Sequence, residues 1–141
     1  MYVVVKNEDG TIVPLEKLVK ALPKIKYVNF YNNTDVSMIT SNTVKELLII
    51  PHFSKICKII LENIPETFDI ETCFAFIKKN KQIKFSFFFH RSISAVYKNC
   101  VEAIIDEILQ RENLDYKVPY VNFWGCDSKK DIKLLTLYDK N

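Results

Sequence analysis

Two histidines, His52 and His90, and four cysteines, Cys57, Cys73, Cys100 and Cys126, are the side chains here best suited to hold a metal or attack a substrate. Correctly spaced, they would give zinc ligation or thiol–disulfide exchange. They are not so spaced. No two cysteines form CxxC, and neither histidine stands at ligand spacing from one, which argues against structural zinc and against a redox pair. Each cysteine lies in or beside an apolar stretch, where a free thiol acts as a small hydrophobe. Scattered thiols fit a reducing compartment, the cytoplasm or nucleus.

The acidic groups are no more suggestive. Glu66, Asp69 and Glu71 cluster where a helix begins, and the helix dipole already accounts for carboxylates there. Asp106 and Glu107 sit on the polar side of a long helical pattern, where solubility explains them. His52 follows Pro51 in a loop, and His90 ends a strand with no acid or nucleophile in phase. Gly10 and Gly125, the only two glycines, stand outside any GxGxxG, GxxxxGK or GxSxG pattern. Phosphate loops and nucleophile elbows need glycine where backbone must approach a ligand. The chain is therefore expected not to be an enzyme and to need no cofactor, metal or small-molecule substrate.

Net charge is +3, from 20 Lys and Arg against 17 Asp and Glu spread along the chain. "KKNKQIK" at 78–84 is the one dense basic run. A nucleic-acid contact through Lys78, Lys79, Lys81 and Lys84 would use it, but a solvated helix end explains it better. No apolar run approaches the roughly 20 residues of a membrane helix, and the start has no signal-peptide pattern, so a soluble protein is expected.

Elements that could position a site emerge from periodicity. In "AVYKNCVEAIIDEILQR" (95–111), Tyr97, Val101, Ile104, Ile105 and Ile108 form one helical stripe, with Ser94 or Ser92 as cap and Glu107–Arg111 as an i,i+4 pair. In "DIETCFAFIKKN" (69–80), Asp69 caps a face of Ile70, Cys73, Phe74 and Ile77, with Phe68 at staple spacing from Cys73. Shorter helices are expected at 14–22, at 43–50 with Thr43 and Glu46 at capping-box spacing, and at 127–138. Strand-length runs lie between them: "YVVV" (2–5), "IKYVNFY" (25–31), "ICKIIL" (56–61), "IKFSFFF" (83–89) and "PYVNFW" (119–124). The first could instead pair as a hairpin across "EDG".

This alternation, with strand centres about 27 to 35 residues apart, predicts parallel strands joined by helical crossovers. A doubly wound sheet buried on both faces would have continuous apolar strands. These strands alternate, which favours a short, irregular leucine-rich-repeat-like βα solenoid with helices on one side. An open doubly wound sheet is the alternative. "IKYVNFYNN" and "ICKIILEN" approximate the L-x-x-L-x-L-x-x-N unit. One α/β domain over 1–141 is expected, with 1–24 as an N-terminal cap strand and helix.

"LENIPETFDIETCFAFIKKNKQIKFSFFF" and "YKNCVEAIIDEILQRENLDYKVPYVNFWG" resemble the C-terminal, leucine-rich-repeat-like region of F-box-like proteins expanded in nematodes. The resemblance covers about 25 to 138 and rests most on "ENIPETFDIE" and "EAIIDEILQRENLDYK". It implies a region that receives substrates for a ubiquitin ligase. The stretch before it, "MYVVVKNEDGTIVPLEKLVKALP", shows no F-box, so a truncated relative is also expected and contact with a cullin adaptor is not.

A wet strand face would carry Tyr27, Asn29, Lys58, Lys84, Ser86, Tyr120, Asn122 and Trp124, and this set is the expected site for a protein partner. Tyr27, Tyr31, Phe88, Tyr120 and Trp124 would align across it, and aromatic residues dominate interface energetics. The competing enzyme reading places a ligand at the carboxyl ends of the strands, near Asn32, Asn63, His90 and Gly125.

Overall fold

The computed structural model describes residues 5–111 and 113–140. Its strands are β1 (Tyr27–Tyr31), β2 (Lys58–Ile64), β3 (Lys84–Phe89) and β4 (Tyr120–Asn122), and its α-helices are α1 (Leu15–Lys20), α2 (Thr43–Leu48), α3 (Ile70–Lys79), α4 (Ala95–Gln110) and α5 (Ser128–Asp139). All strand pairs are parallel, in the order β1-β2-β3-β4. Because the order never reverses, right-handed crossovers carry successive helices to the same face. The doubly wound alternative needs a reversal, and none is present among the described strands.

On the helical face the alternation delivers Val28 and Phe30, Ile59 and Leu61, Phe85 and Phe87, and Val121 to the core. Leu15, Val19, Val44, Leu47, Phe68, Cys73 and Phe74 meet them from the helical layer. Phe87 is fully buried against the rings of Phe85 (5.3 Å) and Phe68 (5.7 Å). Burying one such side chain contributes about 1.5–3 kcal/mol. Phe68 and Cys73, at the start of α3, are both buried, as the staple spacing predicted.

Local chemistry sets the ends of the helices. The Asp69 carboxylate accepts from Thr72 N, the Ser94 hydroxyl from Tyr97 N, and the Asp127 carboxylate from Lys129 N and Lys130 N. The capping box expected at Thr43 does not form. Thr43 lies inside the helix, and its hydroxyl accepts from Thr40 N at 2.8 Å, bracing the preceding turn. Val5 to Val13 is a hairpin: Lys6 bridges Ile12 in antiparallel fashion, and Gly10 at φ 86° makes the turn. Only Val5 of the run 2–5 falls within the described residues, and it belongs to this hairpin rather than to the parallel sheet.

Two expectations are corrected. Glu107 pairs with Lys78 of α3 at 3.1 Å rather than with Arg111, because neighbouring helices bring a fixed ammonium closer. Helices on one side alone is also wrong, since α5 turns around the β4 edge. Lys130 ties it to Glu102 (2.9 Å) and Asp106 (2.8 Å) of α4, while Asp131 and Tyr138 reach the opposite face of the sheet.

Candidate protein-binding face of the sheet

On the side away from α1 to α4, the register builds three rows. Tyr27, Lys58 and Lys84 make the first, Asn29, Ile60, Ser86 and Tyr120 the second, and Tyr31, Glu62, Phe88 and Asn122 the third. Seven of the eight predicted residues thus lie on one face. Trp124 does not. It follows β4, in the turn closed by Cys126 N and Phe123 O with Gly125 at φ 89°, and is 72% exposed.

The expectation that this face is uniformly wet fails over β3 and β4, where α5 covers it. Ser86 is only 4% exposed, and its hydroxyl donates to Tyr138 Oη at 2.9 Å. Lys84 Nζ lies 4.0 Å from the centre of the Tyr138 ring, which also packs on Tyr120 at 5.8 Å. The Tyr120 hydroxyl donates to Asp131 at 2.7 Å, and Asn122 Nδ2 reaches the same carboxylate at 3.3 Å. Burial, then the Asp131 hydrogen bond, pushes the Tyr120 hydroxyl up to about 12. Phe88 is half-buried against Tyr120. These residues are engaged within the fold.

Over β1 and β2 no described helix covers the face. Tyr27 is 70% exposed and Tyr31 43%, beside exposed Asn29 and half-exposed Lys58, Ile60 and Glu62. Ile60 was missed by sequence reasoning, although its alternation with Ile59 and Leu61 signals this face. The uncovered half therefore carries aromatic rings, an apolar side chain and one charge of each sign.

At the carboxyl ends of the strands, Asn32, Asn63 and His90 do come together around a cavity of about 130 Å³, and Gly125 is not among its lining residues. Several of their polar atoms already bond within the chain. Buried Asn32 accepts from Met38 N at 3.0 Å and donates to Ser37, while Asn63, at φ 58° in the bulge of β2, donates to Asn32 O and Thr34. His90 Nδ1 accepts from Ser92. The space is below the roughly 300 Å³ typical of a small-molecule site. Asparagine here turns the chain.

The cysteines stay apart and unpaired. Among the described residues no His, Cys, Asp and Glu cluster could hold a metal, and no helix is long and apolar enough to cross a membrane. The basic run is dispersed as well: Lys78 pairs with Glu107, Lys81 with Asp115 at 3.1 Å, and Lys84 packs on Tyr138. Comparison of the chain with protein-family models, curated proteins and solved structures finds no match.

Proposed function

We propose that this chain is a non-enzymatic protein-interaction module that receives its partner on the open half of the sheet. Tyr27, Asn29 and Lys58 carry the contact, joined by Tyr31, Ile60 and Glu62. The observation behind this reading is the pair of exposed tyrosines on β1, set in register beside Lys58 and Glu62 and covered by no described helix. Tyrosine contributes large contact area at little conformational-entropy cost and keeps a hydroxyl for hydrogen bonding. The flanking charges supply orientation more than affinity.

The unreversed strand order, the helices packed in sequence and the asparagine turn at Asn32 support reading the domain as a short, irregular leucine-rich-repeat-like stack. The resemblance to nematode F-box-like proteins then makes substrate recognition for a ubiquitin ligase the natural context. In this reading Ser86, Tyr120 and Asn122 hold α5 in place, and the partner meets the β1–β2 half.

The test is affinity capture from native lysate with wild type and the double variant Tyr27→Ala, Tyr31→Ala, each first shown to melt cooperatively. The expected result is a protein retained by wild type and lost by the variant. Retention of the same proteins by both chains removes the open half-face as the site.

A further inference from the structure

A fold can gather charge that the sequence scatters. Asp and Glu are absent from 17–34, from 47–61 and from 72–101, while Lys20, Lys24 and Lys26 fall in the first stretch and Lys55 and Lys58 in the second. Each stretch contains a helix's end, a turn and the start of the following strand. Parallel βα crossovers bring such turns together at the amino ends of the strands. There Lys26 Nζ donates to Lys55 O at 3.1 Å, and Lys58 N donates to Lys26 O at 3.2 Å. Lys24, Lys26 and Lys55 are exposed and Lys58 is half-exposed, and none of the four forms an ion pair among the described residues. Asp115, already paired with Lys81, and Asp139, next to Tyr138, belong to the β3–β4 side.

Lys20 ends α1, where the helix dipole accounts for it, but Lys24, Lys26, Lys55 and Lys58 lie beyond the ends of α1 and α2. Four like charges repel one another, and an anionic partner relieves that repulsion. Next to them a shallow groove of about 380 Å³ is lined by Ala21, Leu22, Pro23, Lys24 and Ile25, with Leu22 51% exposed. Tyr27, in register with Lys58, adds an exposed ring. A single-stranded nucleic acid fits this surface less well. It needs a row of rings for successive bases, and among the described residues Tyr27 is the one exposed ring in register with these lysines. All four cations are lysines, whereas planar, bidentate capture of phosphate favours arginine. The apolar groove also suits an aliphatic side chain, which a nucleic acid lacks.

We infer that the basic rim at the amino ends of β1 and β2 binds an acidic segment of a protein partner. Its carboxylates meet Lys24, Lys26, Lys55 and Lys58, and an aliphatic side chain rests against Leu22 and Ile25. The inference rests on the β1–β2 half as the partner's seat and names what the partner brings to it.

The probe is the peptide acetyl-Asp-Glu-Leu-Glu-Asp-amide, titrated into isotope-labelled full chain and followed by NMR at the amides of Lys24, Lys26, Lys55 and Lys58. These amides should shift saturably, and the affinity should fall as sodium chloride is raised. The variant Lys24→Glu, Lys55→Glu changes only two exposed side chains and should weaken binding by about tenfold or more. The neutral peptide acetyl-Asn-Gln-Leu-Gln-Asn-amide should leave the amides in place. No response to the acidic peptide, an equal response to the neutral one, or an affinity unchanged in the variant overturns the proposal. So does tighter binding of a short oligothymidylate, or of vesicles of phosphatidylserine and phosphatidylcholine, which would make the rim a nucleic-acid or membrane contact. Capture with the tyrosine double variant separates the two readings. A partner lost there while the acidic peptide stays inert removes only the rim, and a partner retained there while the peptide binds removes only the open half-face.

Discussion

Cys100 shows how a side chain with reactive chemistry is put to structural use. Burial, then its hydrogen bond to Glu71, pushes its thiol up to about 11, and burial also raises Cys73 and Cys126. A thiol held in its neutral form is a poor nucleophile. These shifts carry a stability consequence with a definite sign. Cys100 and Tyr120 bind their protons more tightly folded than unfolded, where the values are about 9 and 10. Their contribution is complete below pH 9 and is lost as pH rises through the folded values of about 11 and 12. The urea midpoint should therefore hold up to about pH 9 and decline above it, less steeply in a Cys100→Ser, Tyr120→Phe variant. A decline of equal slope in that variant would assign it to other groups. Asn32 sets a second test. Asn32→Ala strands the buried Met38 N–H and should cost about 1–3 kcal/mol in urea unfolding. A loss well under this would mean that water or a shifted turn meets the amide.

Among the elements, α5 decides how much of the sheet remains available. Its fastening combines the buried Leu134, the Asp127 cap and the Lys130 ion pairs to α4. Packing should outweigh the partly exposed charges. Leu134→Ala should cost about 2–5 kcal/mol, whereas Lys130→Ala should lower the denaturation midpoint far less, since solvent-screened ion pairs contribute little. The reverse ranking would show that ion pairs hold the helix. The long helices were legible from sequence because Ile104, Ile105 and Ile108, or Cys73, Phe74 and Ile77, repeat at helical spacing with a capping residue ahead. The side on which α5 lies was not. Its apolar stripe is thin, with Leu134 its only buried hydrophobic residue. Glu107 was misassigned for a related reason, since Lys78 is remote in sequence and near in space.

For the whole molecule, parallel topology and the two faces of the strands emerged from alternation and spacing. The extent of the open face did not, because Ser86, Tyr120 and Asn122 look solvent-facing until Tyr138 and Asp131 are placed over them. The sheet is divided in a way that bears on function: β3 and β4 are closed by the chain's own C-terminal helix, while β1 and β2 present Tyr27 and Tyr31. The most direct measurement is site-specific photo-cross-linking in native lysate, with a photoreactive phenylalanine analogue replacing Tyr27 in one protein and exposed Lys45 of α2 in another. A protein adduct formed from position 27 and absent from position 45 is the predicted result. Adducts from position 45 alone, or the same adducts from both, would contradict the open half of the sheet as the partner's seat.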